Sequence, residues 1–170
     1  MQLYVRDALE TDVDQLVDLL LGGRVTDTPD DVHHLADHVD AIREIDRTDG
    51  SYLLVGELAG RIVAMLQLIT FRHLQHRGGR CAEIESMHVT ADDRSSGVGS
   101  QMIDHAIARA KDLGCYRIQL TSRIERRDAH RFYEAHEFRP SHVGFKRALD
   151  LDWTPGRSAG RRPLSVAPTR

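Results

Sequence analysis

The spacing of apolar positions divides the chain into short alternating runs and longer helical stripes. Leu3-Tyr4-Val5-Arg6 reads as a short strand, and Val13, Leu16, Val17 and Leu20 then recur at helical spacing. Thr11 is placed to cap that helix and Gly22-Gly23 to end it. Thr28-Pro29-Asp30-Asp31 opens a second, more polar helix running to about Ile45, with Val32, Leu35, Val39 and Ile42 on one face. Ser51 to Glu57 and Arg61 to Phe71 are β-rich runs, joined through Leu58-Ala59-Gly60 as a hairpin. A loop rich in His, Arg and Gly, Arg72 to Arg80, leads to a strand from Cys81 to Val89.

From Val98 to Leu113 the residues Val98, Met102, Ile103, Ala106, Ile107, Ala110 and Leu113 form one helical stripe, stopped by Gly114. Tyr116 to Thr121 reads as a buried strand, Arg127 to Ala135 as a short helix and Phe138 to Leu149 as a final strand. The expected order is β-α-α-β-β-β-α-β-α-β, an α/β fold whose mixed sheet carries helices on both faces. From Trp153 onward prolines and arginines lie among small residues without periodicity. Residues 1–150 are therefore expected to form one domain, and 151–170 a disordered tail.

Composition adds mainly exclusions. A length of 170 residues suits a single core, and a formal net charge of −3 gives no global positive field to recruit nucleic acid or an anionic membrane. The longest apolar runs, Leu19-Leu20-Leu21 and Ile62 to Leu66, are too short to span a bilayer, and the N-terminus does not read as a secretory signal. Cys81 and Cys115 cannot make a disulfide framework and are expected in or beside strands as small apolar residues. A cytoplasmic protein without nucleic-acid or membrane partners is the expectation.

The chemistry concentrates in Arg94-Ser95-Ser96-Gly97-Val98-Gly99, between a strand and a well-formed helix. Such a turn presents consecutive backbone N–H groups from Ser96 to Ser100 at a helix start, with its unsatisfied donors and partial positive charge. Gly97 and Gly99 remove Cβ atoms that would hold a phosphate off the backbone, and Arg94 supplies a cation at the mouth. No Gly-Lys-Ser/Thr follows, which excludes a Walker loop. Met102 stands where a Rossmann fingerprint needs a small residue. On the hexapeptide alone, a tight turn whose glycines serve only geometry is an equal alternative.

The flanking residues decide between them. Ile84-Glu85-Ser86-Met87-His88-Val89, four residues, then Arg94-x-x-Gly97-x-Gly99 resembles the central motif of the GNAT acetyltransferase superfamily. Its companion is Arg127-Asp128-Ala129-His130-Arg131-Phe132-Tyr133-Glu134, followed by Phe138. The resemblance runs from Leu3 to about Leu149 and implies a splayed central strand pair. It also implies acetyl-CoA as cosubstrate. Its pantetheine arm would pair with the backbone of Met87, His88 and Val89, and its pyrophosphate would lie on Arg94, Ser95, Ser96, Gly97, Val98, Gly99 and Ser100. One departure stands out: Glu137 occupies a position where the family usually has glycine, so it must accept positive φ or end the helix differently.

Acetyl transfer to an amine requires a neutral nucleophile, a stabilised oxyanion and a proton for the leaving thiolate. The resemblance makes Tyr133 the acid facing the sulfur. Glu83 and Glu85 flank Ile84 on one strand and so share a face, which suggests a wet cleft. The resemblance favours Glu85 as base through a water, with Glu83 as anchor or second candidate; a salt-bridged carboxylate pair is the bland alternative. The amide of Met87 or His88 is the oxyanion donor. The His88 side chain either relays protons or merely faces solvent or a helix.

The chain has ten histidines, but no cysteine pair or glutamate completes a zinc pattern around His34 and His38, so no metal site is expected. Phe71-Arg72-His73-Leu74-Gln75-His76, Asp128 to Tyr133 and Ser141-His142-Val143-Gly144-Phe145-Lys146 resemble the aminoalkylphosphonate acetyltransferases of the superfamily. That resemblance gives Arg72, His73 and His76, with Arg77, the role of binding an acidic group on the substrate. The expected function is N-acetylation of a primary amine on a small molecule by direct attack in a ternary complex. A non-catalytic acetyl-CoA-binding module and a protein or peptide N-acetyltransferase are the alternatives. A homodimer, as many relatives form, is expected from the resemblance alone.

Overall fold

A computed structural model describes residues 2–22 and 34–147. The expected helix opening at Thr28–Asp31, Val32, the end of the expected final strand and the tail lie outside the described residues. Among the described residues five strands form one sheet in the order β1-β2-β3-β4-β5: β1 (Tyr4–Asp7), β2 (Ser51–Leu58), β3 (Arg61–Arg72), β4 (Arg80–Val89) and β5 (Cys115–Leu120). The first four are antiparallel neighbours, and β5 pairs parallel to β4. The β2–β3 hairpin closes through Ala59 and Gly60, both at positive φ (49° and 78°), the geometry of a two-residue turn that matches strand twist.

Two helical layers cover the sheet. On one face α4 (Val98–Asp112) buries Met102, Ile103 and Ala106 against Leu66, Leu68, Ala82 and Ile84. On the other, α1 (Val13–Gly22) and α2 (Leu35–Arg47) bury Leu16, Leu19 and Ile42 against Val55, Ile62 and Met65. The start of α1 is tied down by Asp12 rather than Thr11. The Asp12 carboxylate accepts the Leu9 N–H at 2.7 Å and two bonds from Arg6 at 2.6 and 3.0 Å. Burial alone would raise the Asp12 carboxyl, but the hydrogen bonds from Arg6 and Leu9 and the charge of Arg6 outweigh it and hold it below the usual range.

Two strand expectations change. β5 is the sheet edge, not a buried strand: Tyr116 and Arg117 are exposed, and only Cys115, Ile118 and Leu120 pack toward α4. Residues 138–147 form no strand. Pro140 lacks a donor, Ser141 N–H turns back to the Arg139 carbonyl, and Val143 and Phe145 stand in solvent. The Arg72–Arg80 loop contains a single tight turn, α3 (Gln75–Gly78), with His76 and Arg77 at φ 51° and 58°. The last helix, α5 (Arg127–Ala135), has the expected bounds.

Candidate active site

The site grows out of an irregularity in β4. Glu85 pairs with Gln67 and His88 with Met65, so two residues, Ser86 and Met87, stand opposite Leu66. This is a β-bulge, and Ser86 takes φ 51° to make it. The bulge resets the alternation. Met87 and Val89 join Ala82 and Ile84 on the α4 face, while His88 turns to the face of Glu83 and Glu85. Beyond Ile84, which pairs with Leu120, β4 has no strand partner on its β5 side among the described residues. The backbone groups of Glu85 to Val89 that face away from β3 therefore line an open wedge, which is the expected splay.

The turn after β4 stands at the end of this wedge. Its backbone is left-handed at Ser95 (φ 61°) and Gly97 (φ 87°). Gly97 caps α4 without any side-chain cap, and no acid occupies the first turn. The first intrahelical bond is Gln101 N–H to the Gly97 carbonyl at 3.1 Å, so the amides of Val98, Gly99 and Ser100 have no acceptor within the helix. Arg94 is bound back to the Val89 carbonyl through Nε at 3.3 Å, which holds its charge at the mouth. Asp93 is kept out of the cradle: it accepts from Thr90 Oγ1 at 2.6 Å and pairs with Arg61 at 3.6 Å, while Ser96 Oγ caps its carbonyl at 2.5 Å. An anion of the size of a diphosphate fits this donor set.

The two glycines differ in purpose. A Cβ on Gly97 would meet nothing within 4 Å, so its φ is the constraint. A Cβ on Gly99 would stand 3.2 Å from Phe132 Cζ and 3.6 Å from Met87 Cε, so Gly99 lets α5 close on α4. That closure brings Tyr133 to the wedge, with its hydroxyl 3.9 Å from Met87 Sδ. Burial raises the Tyr133 phenol above its ordinary value, partly offset by Arg126, so it stays protonated at neutral pH. The cradle follows directly on the open end of β4, and the part-buried phenol stands beside Met87 of that strand.

The Acetyltransferase (GNAT) family model matches residues 17–138, which include all of these parts. The chain belongs to the GNAT acetyltransferase family. Among GNAT relatives, an aminoalkylphosphonate N-acetyltransferase of Salmonella typhimurium is 36% identical over 90 residues, 53% of this chain and 58% of that protein. The chain thus spans little more than half the length of that curated relative. A solved structure described as a transcriptional regulator from Bacillus halodurans superposes with a TM-score of 0.77 at 34% identity, covering 87% of this chain and all of that one. Glucosamine-6-phosphate N-acetyltransferase from Arabidopsis thaliana shares the fold at a TM-score of 0.72 and 20% identity, covering 88% of this chain and all of that one.

On this GNAT frame Glu83 accepts from Gln119 Nε2 at 3.1 Å, and Glu85 lies opposite Gln67 on the same half-open face. Neither is in an ion pair among the described residues. Arg72, His73 and His76 are not brought to the wedge. Arg72 donates to the Gly78 carbonyl at 2.9 Å, and His73 and His76 pack on Tyr116 with ring centroids 6.3 and 4.8 Å away. Their loop enters β4 at Arg80, five residues before Glu85, a separation of roughly 16 Å at strand rise. No group of three or more His, Cys, Asp or Glu able to hold a metal occurs among the described residues. No helix among them is long and apolar enough to cross a membrane.

Sequence reasoning missed the bulge, because pairing register is set by β3 and invisible in β4 alone. It also missed Arg126, whose charge acts on both Tyr133 and His88. Its place as the residue that opens α5, seven positions before Tyr133, was the available signal.

Proposed function

We propose that this protein transfers an acetyl group from acetyl-CoA to the primary amine of a small molecule, both substrates being held together for direct attack. The observation that carries this reading is one combination: an anion cradle at the end of a one-sided strand, with a part-buried phenol beside Met87 of that strand. The cradle amides and Arg94 take the pyrophosphate. The run Met87, His88 and Val89 pairs with the pantetheine arm through its backbone groups on the open side and places one amide at the thioester oxygen. Tyr133 protonates the leaving thiolate. The amine enters from the opposite face, where Glu83 and Glu85 supply negative charge and hydrogen-bond acceptors for an ammonium group, Glu85 holding a water next to it.

The name of the Salmonella relative supports an amine that also bears an acidic group. A short aminoalkylphosphonate anchored at Glu85 does not span to Arg72, His73 and His76, so a role for those three requires a longer acceptor. A free-thiol assay over small amines, aminoalkylphosphonates and peptides tests the reading. Thiol release with small amines, lost in Tyr133→Phe while acetyl-CoA binding persists, is the expected result. No release from any amine by a wild type that binds acetyl-CoA would mark a binding module instead, and release with peptides alone would mark a protein acetyltransferase.

A further inference from the structure

The imidazole of His88 has no use in the reading above, and its surroundings are unusual. It is 8% exposed, one of two buried polar or charged side chains, and it has no hydrogen-bond or ionic partner among the described residues. The other, Asp12, is fully engaged by Arg6 and Leu9. The ring nitrogens are nevertheless not among the fully buried side-chain atoms left without a partner, which are Thr70 Oγ1 and Ser122 Oγ among the described residues, so they keep a small opening to solvent. The bulge gives the ring this place. Without the extra residue, His88 would point to α4, away from the carboxylates. With it, His88 is the next side chain after Glu85 on the acceptor face, at the level where the strand backbone is free.

We infer that His88 is the proton acceptor for the incoming ammonium, with Glu85 and Glu83 orienting that ammonium and its water. The inference rests on the acetyl-transfer reading. The ammonium N–H bond breaks as an imidazole N–H bond forms, directly or through the water at Glu85. The nitrogen lone pair then attacks the thioester carbonyl. The C–S bonding pair leaves on sulfur, which takes the phenolic proton of Tyr133. The remaining excess proton on nitrogen restores Tyr133, and His88 releases its proton to solvent, one per turnover.

The charges that act on the imidazole are Arg126 at the head of α5 and Arg94 from the cradle; Glu83 and Glu85 share its strand face, and Tyr133 reaches the neighbouring Met87. From α1, Asp18 lines a cavity with Val89 and Thr90; on β3 the residues opposite are Met65 and Gln67. Burial, then Arg126 and Arg94, lower His88 below the usual histidine value, so the ring is neutral at pH 7 and ready to accept.

The test is the pH profile of thiol release by wild type, His88→Gln and Glu85→Gln, with acetyl-CoA affinity and thermal unfolding measured alongside. His88→Gln is expected to lose about 10²- to 10⁴-fold in kcat at neutral pH with acetyl-CoA affinity retained. The acidic limb should vanish in that variant and persist, at reduced rate, in Glu85→Gln. Wild-type turnover with an unchanged limb in His88→Gln overturns the assignment to His88 alone. Absence of wild-type turnover on every amine overturns the acetyl-transfer reading beneath it. Should His88→Gln fail to fold, an NMR titration of the wild-type imidazole decides: titration below the ordinary histidine value supports the assignment, and titration at or above it overturns it.

Discussion

The amide of Phe138 donates to the carbonyl of Tyr133 at 3.1 Å, and their rings pack edge to face with centroids 6.0 Å apart. With the Glu137 N–H to Glu134 carbonyl bond at 3.0 Å, this makes a Schellman cap on α5, in which Glu137 takes φ 65°. The cap fixes the turn that carries the phenol, and it does so with a side chain where the conformation favours glycine. Glu137→Gly is therefore expected to stabilise the protein by about 0.5–1 kcal/mol, the relief of left-handed strain less the extra freedom of an unfolded glycine. Thermal unfolding should show a rise of a few degrees with kcat unchanged; a fall would mean that the Glu137 side chain contributes an interaction outweighing the strain.

Tyr133→Phe keeps the ring and its packing on Phe132 and Phe138 but removes the donor. The expectation is a loss of about 10²-fold or more in kcat, with little change in acetyl-CoA affinity. Because burial raises the phenol, the alkaline limb of the wild-type profile should lie above the ordinary tyrosine value and disappear in the variant. The folded pKa is the higher one, so the associated stability is complete below the unfolded value and declines as pH rises through the folded one. An alkaline limb common to both proteins would assign it to another group.

The strand-to-helix turn at Arg94 to Gly99, the place of Tyr133 on a helix and the bounds of α4 and α5 were legible because each rests on local chemistry: glycines at a turn, a stripe at helical spacing, a motif on one helix. The helix order and the β2–β3 hairpin were legible for the same reason. Three features were not. The direction of His88 depends on a bulge specified by cross-strand register. The exposure of Tyr116 and Arg117 depends on β5 lying at the edge, which apolar content cannot report. The failure of Val143 and Phe145 to form a strand reflects Pro140 and the bond from Ser141 to Arg139, which local alternation does not override.

Arg6 and Asp12 hold the start of α1 against β1, and the pair is largely buried, with side-chain exposures of 23% and 8%. Asp12→Asn leaves Arg6 near Glu57 at 3.3 Å but deprives it of its closest counter-charge. A loss of about 2 kcal/mol is expected, less than for a fully buried pair because Arg6 keeps Glu57 and some solvent. The Asp12 pKa is lower in the folded protein than in the unfolded chain. Its stabilisation is thus present above the unfolded value and lost as pH falls through the folded one. Denaturant titrations should find the wild type and variant separated at neutral pH and converging below about pH 4; a constant gap would place the effect in packing rather than charge.

Gly97 and Gly99 belong to one motif, yet they should fail in different ways. Alanine at 97 meets no atom, so its cost is backbone strain at φ 87°, about 1–2 kcal/mol, relieved only by moving the cradle amides. Gly97→Ala is expected to lower the unfolding temperature and raise KM for acetyl-CoA with a smaller effect on kcat. Alanine at 99 lies inside α4, where it gains about 1 kcal/mol of helix propensity, but its methyl presses on Phe132. Phe132 packs on Tyr133 at 5.3 Å between centroids, so displacement passes to the phenol. Gly99→Ala should therefore leave the unfolding temperature near wild type while kcat falls several-fold, and Gly99→Val should exaggerate that split. Steady-state kinetics on both variants separate the two roles. Equal effects on KM in the two would show that Gly99, like Gly97, serves the cradle rather than the approach of α5.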